Sequence, residues 1–156
     1  MGVIPSYFAR MGFRAVGVDV SSVLLEEAQN LISREPEEVQ NRIGLIHSFI
    51  EDLIPDYSFD TILLLETLEH VIDPLPIVVK AREILAPGGR IYISAPSTRV
   101  GTFSHVRGIS VDDGIRLCHS AGLSIVNAFE ASWRGAYSNT YIVARLPEGE
   151  TPTAAR

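Results

Sequence analysis

The chain has 156 residues, 46% of them apolar and 21% charged, with a formal net charge of −6. That length fits one domain with a single substantial core, and the apolar content excludes a disordered chain. The negative balance, with Lys80 the sole lysine, argues against a nucleic-acid surface, which needs basic stripes to displace phosphate counterions. Cys118 stands alone, so no intramolecular disulfide and no CxxC metal site is available. No apolar run approaches the roughly 18 residues of a membrane helix. The start, Met1 to Ser6, lacks the basic-then-apolar layout of a signal peptide. A soluble, cytoplasmic protein is expected.

In chain order, Val3, Ile4, Tyr7, Phe8 and Met11 recur at helical spacing before Gly12, which predicts a helix over about 3–11. Ala15-Val16-Gly17-Val18 is a short apolar strand ending at Asp19. Ser21 or Ser22 caps the next helix, with an expected core stripe of Leu24, Ala28, Leu31 and Ile32. Ser33 to Asn41 is expected to be loop, and Ile43 to His47 a second strand. Asp56-Tyr57-Ser58 makes a turn before Thr61 to Leu65, a run apolar on both faces as in a covered parallel sheet. Asp73-Pro74 supplies a cap and a helix-starting proline. The helix that follows buries Ile77, Val78, Ala81, Ile84 and Leu85, and Pro87-Gly88-Gly89 is expected to end it. Arg90 to Ala95 returns as a strand. Pro96 to Ile109 is a long connection of the length usually tied to function. Ser110 and Asp113 form a capping-box pattern for a helix stopping near Gly122. About 123–130 and 139–146 read as an antiparallel strand pair. Residues 1–146 are thus one expected core, and 147–156 a frayed tail. This alternation indicates an α/β layered domain.

Four stretches carry more than pattern. They are Gly12 to Ser21 (GFRAVGVDVS), Ile50-Glu51-Asp52-Leu53, Ser58-Phe59-Asp60 leading to Glu66-Thr67-Leu68-Glu69-His70-Val71, and Leu85 to Ser94 (LAPGGRIYIS). In their order and spacing they resemble class I S-adenosylmethionine-dependent methyltransferases. The likeness is strongest to the small-molecule branch that includes ubiquinone-biosynthesis O-methyltransferases. It implies a Rossmann-like, mostly parallel sheet with a C-terminal antiparallel strand, in the family order 3-2-1-4-5-7-6. It implies S-adenosylmethionine as cofactor and methyl transfer to a small-molecule acceptor.

The resemblance also assigns residues. Asp19 corresponds to the acid that accepts the cofactor's ribose hydroxyls, with Val20 beside it. Ile50 and Glu51 belong to the loop under adenine, where many relatives have an aspartate at the position of Phe49. Apolar packing of Phe49 on the base and hydrogen bonds from the backbone near Ile50 are expected instead. The backbone of Leu65 and Glu66 would meet the cofactor's amino group. His70 lies where a methyl acceptor would sit and is a candidate base, with His105 a second candidate in the long connection. Glu66, Glu69 and His70 match a spacing that some relatives use for magnesium, with His105 as a fourth ligand. Three hard ligands at i, i+3 and i+4 share one helical face. The same residues also occur in relatives without metal, and no residue is assigned to a metal on sequence alone. Arg107 could steer a carboxylate or phosphate, and Trp133 and Tyr137 could line an acceptor pocket or cover the sheet end.

Met1-Gly2 aligns with the end of the family's glycine-rich loop, which places Gly2 against the cofactor and the family's first strand upstream of residue 1. The expected consequences are a truncated product, direct pairing of the flanking strands, or a homodimer in which a second chain donates a strand. Two rival readings remain beside methyl transfer. One is a non-catalytic methyltransferase-like relic or fragment that binds or oligomerises. The other is a nicotinamide-dependent dehydrogenase, disfavoured by the terminal strand pair.

Overall fold

The computed structural model describes residues 2–98, 104–133 and 137–150, without the side chains of Trp133 and Tyr137. It divides into two compact units, Met1–Leu53 and Ile54–Arg156, each with its own sheet.

The first unit runs α1 (Val3–Arg10), β1 (Ala15–Asp19), α2 (Ser22–Ile32), α3 (Glu37–Gln40) and β2 (Ile43–His47). β1 and β2 pair in parallel, Ala15 opposite Ile43 through Asp19 opposite His47. Ser21 caps α2, its hydroxyl accepting from the Leu24 amide. The buried stripe of α2 is Leu25, Ala28 and Ile32, whereas Leu24 and Leu31 are each 41% exposed. The expected stripe was therefore turned too far. Positions 25, 28 and 32 follow the i, i+3, i+7 line, and 24 and 31 fall about 100° to one side of 25. The segment expected as loop over 33–41 contains α3, which Pro36 opens and Glu37 and Glu38 favour as acids in its first turn. Val39 anchors it in the core.

The second unit runs β3 (Phe59–Leu65), α4 (Leu75–Glu83), β4 (Leu85–Pro96), α5 (Val111–Ser120), β5 (Ser124–Trp133) and β6 (Tyr137–Arg145). Its sheet has the order β3-β4-β6-β5, with β3–β4 parallel and the β4–β6 and β5–β6 pairs antiparallel. These orders match what the resemblance implies for the strands on either side of the family's first. α4 packs on β4, and α5 on β5 and β6. Ile77, Val78, Ile91, Ile93 and Ile142 form the centre of the core.

Pro87-Gly88-Gly89 does not end a helix as expected; α4 stops at Glu83 and the three residues lie inside β4. Phe59 pairs with Leu85 but Thr61 pairs with Arg90, so the segment between is a bulge. Gly88 has φ +79°, and a Cβ on Gly89 would lie 3.0 Å from the Asp60 carbonyl oxygen. Glycine at both positions lets the chain turn without leaving the sheet.

Candidate functional site

The expected residues fall in both units and are described within each: Asp19 ends β1, Phe49 to Glu51 follow β2, and Leu65 and Glu66 lie at the end of β3. At the end of β1, Asp19 is half-buried. Its Oδ1 accepts from the Ser21 amide at 2.8 Å, which fixes the carboxylate at the entry to α2. Among the described residues Oδ2 accepts no hydrogen bond, so it remains available to a ligand hydroxyl. His47, opposite Asp19, places Nε2 2.9 Å from the Val20 carbonyl oxygen. A carbonyl only accepts, so Nε2 donates and pins the residue after Asp19. The sequence reading missed this role, because only the strand register reveals that His47 faces Asp19.

Gly2 is buried at the N-terminus of α1 with φ +88°. A Cβ there would stand 3.0 Å from the Ala28 Cα, so helix packing as well as backbone conformation requires glycine. Phe49 is 60% exposed and precedes a short 3₁₀ turn, Ile50–Asp52. It is not a core residue, and its ring is free to stack. Ile50 and Glu51 are half-buried.

At the end of β3, Glu66 is the one non-glycine residue of positive φ among those described, at 51°. Its amide donates to the Ser94 carbonyl at 2.9 Å. Its Oε1 accepts from the Ser94 hydroxyl at 2.8 Å and from the Asn139 side-chain amide at 2.9 Å. Leu65 turns its carbonyl away from β4, where the Thr67 hydroxyl meets it at 3.2 Å.

The expected convergence of Glu66, Glu69 and His70 is not present. It presumed a helical face, but Glu66 is left-handed, Thr67 has φ −122°, and only Leu68–His70 form a 3₁₀ turn. The group that does converge is Glu69, His70 and His105, whose ligand atoms lie within 4.8 Å of one another. Glu69 is fully buried, and among the described residues neither carboxylate oxygen has a hydrogen bond. Burial holds its pKa above the usual glutamate value; the charge of Glu66 adds to this, while its own backbone and the two histidines oppose it. The rings of His70 and His105 meet edge to face at 4.8 Å. His70 Nδ1 lies 3.0 Å from the Ser104 carbonyl oxygen and must donate to it. The neutral ring therefore carries its lone pair on Nε2, which is 3.8 Å from Glu69 Oε1. The long connection is tied to this turn, since the Val106 amide donates to the Glu69 carbonyl. Arg107 donates to the Ile72 carbonyl, so its guanidinium is committed at least in part to holding the loop. The Trp133 and Tyr137 side chains lie outside the described residues.

In the first unit, the Asp19 carboxylate, with one oxygen unbonded among the described residues, suits a ribose hydroxyl, and the exposed Phe49 ring suits a base; in the second, the exposed Glu66 carboxylate suits an ammonium. A fully buried, unsatisfied carboxylate beside two imidazoles suits a divalent transition-metal ion better than magnesium, which prefers oxygen ligands.

The methyltransferase domain family matches residues 1–93. Ubiquinone biosynthesis O-methyltransferase of Xanthomonas euvesicatoria pv. vesicatoria is 29% identical over 105 residues, 66% of this chain and 42% of that protein. The Xylella fastidiosa counterpart is 32% identical over 104 residues, 65% of this chain and 41% of its own length. The chain thus spans about two fifths of these curated relatives. Among solved structures, the glycopeptide N-methyltransferase MtfA complexed with S-adenosyl-L-homocysteine superposes with a TM-score of 0.79 at 14% identity, covering 94% of this chain and 78% of that one. The cyclase SpnF gives 0.76 at 15% identity, covering 92% and 71%. No helix among the described residues is long and apolar enough to cross a membrane. The fold and the family match together place this chain among the class I S-adenosylmethionine-dependent methyltransferases.

Proposed function

We propose that the chain transfers the methyl group of S-adenosylmethionine to a hydroxyl or other nucleophile of a small molecule. The observation that carries this reading is the Asp19 carboxylate, anchored at the end of β1 by one oxygen and free at the other. In this reading Asp19 accepts from the ribose hydroxyls, with Val20 held in place by His47. Phe49 stacks on adenine, and Ile50 and Glu51 border it. Gly2 allows close backbone approach, and Leu65 and Glu66 take the α-ammonium. The bound cofactor supplies an electrophilic methyl on a sulfonium, so the protein's task is to position an acceptor in line with it. His70 Nε2 takes the acceptor's proton as the methyl moves, with the ring held by Ser104 and flanked by His105. The acidic chain and lack of basic clusters favour a small acceptor over nucleic acid, and the lone buried Cys118 suits a reducing cytoplasm.

A second reading of the same turn is favoured by Glu69, whose buried oxygens lack partners among the described residues. Glu69, His70 and His105 would hold a divalent ion, which supplies Lewis acidity toward the acceptor oxygen. A non-catalytic binding role is the remaining rival, and the likeness to a cyclase shows that this fold is not confined to methyl transfer.

Calorimetric titration tests the proposal. The chain should bind S-adenosylhomocysteine saturably, and Asp19→Ala should weaken that binding about 10- to 100-fold, as expected for lost hydrogen bonds to a charged group. 5′-Methylthioadenosine carries the same ribose and should lose affinity in parallel. Unchanged affinity would remove Asp19 from the site, and no saturable heat with the unaltered chain would remove the cofactor assignment.

A further inference from the structure

We propose that Ser94 and Asn139 are positioning residues for the amino-acid end of the cofactor, acting through Glu66. The inference rests on the reading above that Leu65 and Glu66 meet the cofactor's α-ammonium. It gives a role to Ser94, the last residue of the LAPGGRIYIS stretch in β4, and to Asn139 in β6.

A glutamate in the left-handed region is costly, because its Cβ crowds the backbone. Such conformations persist where surrounding contacts over-determine them. Three contacts do so here. The Glu66 amide is held by the Ser94 carbonyl at 2.9 Å, and Oε1 receives both the Ser94 hydroxyl and the Asn139 amide, at 2.8 and 2.9 Å. Ser94 is buried, and it is opposite Leu65 in β4, so its hydroxyl is carried by the sheet itself. Asn139 stands opposite Pro96 in β4 and Ala131 in β5. Two rigid strands therefore grip one oxygen of one carboxylate.

The grip has a chemical result. With both donors on Oε1, Oε2 of this exposed side chain accepts no protein hydrogen bond among the described residues. It is an acceptor whose direction is set by the two donors on Oε1. A carboxylate oxygen left open in this way suits a primary ammonium, which offers three donors and no acceptor. Without the clamp Glu66 would relax toward an ordinary backbone conformation and swing that oxygen away.

The test separates the amino-acid end from the nucleoside end. S-Adenosylhomocysteine carries the ammonium; 5′-methylthioadenosine has the same nucleoside and sulfur but no amino acid. Binding of both is measured calorimetrically to the full chain and to Ser94→Ala, Asn139→Ala and Ser94→Thr, with circular dichroism confirming each fold. We expect Ser94→Ala and Asn139→Ala each to weaken S-adenosylhomocysteine about tenfold and to leave 5′-methylthioadenosine unchanged. Ser94→Thr, which keeps a hydroxyl donor, should recover most of the loss. Equal losses on both ligands would mean that the residues only support the fold, and no loss on either would mean that Glu66 needs no clamp; each result overturns the inference while leaving the cofactor reading intact. Failure of the unaltered chain to bind either ligand overturns both together.

Discussion

Glu69 concentrates the energetic tension of the second unit in one side chain. A carboxylate that is fully buried, with neither oxygen hydrogen-bonded among the described residues, costs the fold on the order of 1–3 kcal/mol. Its raised pKa has the matching sign. The folded state holds the proton more tightly than the unfolded one, so the penalty is absent below the ordinary value of 4.5. It grows as pH rises through the folded value and is constant above it. A divalent cation between Glu69, His70 and His105 would relieve that penalty directly. Chelator-treated protein should therefore gain thermal midpoint on addition of zinc or manganese, by an amount equivalent to about 2.7 kcal/mol at a hundredfold excess over Kd. Magnesium should do less. Glu69→Gln should abolish the metal-dependent shift while being itself more stable than the metal-free parent at neutral pH. A midpoint indifferent to metal in the parent chain would dismiss the cluster as a cation site.

At the scale of single elements, α5 offers the cleanest cap. The Ser110 hydroxyl accepts from the Asp113 amide at 3.2 Å and donates to its carboxylate at 2.5 Å. Arg116 adds an ion pair at 2.6 Å. The Ser110 hydrogen bond is the main reason the Asp113 pKa is depressed, burial opposing and Arg116 assisting. Ser110→Ala should cost about 1 kcal/mol at neutral pH. A depressed carboxylate stabilises above its ordinary 3.8 and loses that contribution as pH falls through its folded value. The difference between parent and variant in urea unfolding should accordingly shrink below pH 3.8. A difference that is the same at neutral and acidic pH would assign the whole effect to the amide bond alone. This cap was legible in sequence, since a serine three residues before an acid has a local cause. The same holds for β2 and for the Gly122 stop. What was not legible depended on partners distant in the chain. The phase of the α2 stripe needs the sheet it packs on, and the Pro87–Gly89 bulge needs the pairing of Phe59 and Thr61 across β3. The Glu66 clamp needs Asn139 of β6, 73 residues later in sequence, and the Glu69 cluster depends on a left-handed residue that no spacing rule anticipates.

For the molecule as a whole, the sheet edges raise the largest question. In β1 the Ala15 amide donates to Arg42 and the Asp19 carbonyl accepts from Ser48, so residues 15, 17 and 19 face β2. Val16 and Val18 then face the other edge, which has no strand partner within the unit. In β3 the Glu66 amide donates to β4, so Leu64 faces β4 while Leu63 and Leu65 face away. β3 is apolar on both faces, the composition of an interior strand, yet it ends the sheet of its own unit. Edges of this kind invite pairing, because unpaired backbone groups beside apolar side chains are costly. Hydrogen exchange decides whether they are filled. If each edge is open in solution, the Val16, Val18, Leu63 and Leu65 amides should exchange at least about tenfold faster than Gly17 and Leu64, whose amides are bonded within their sheets. Equal protection across both sets would mean that another strand covers these edges, and protection that rises with protein concentration would identify it as belonging to a second copy of the chain.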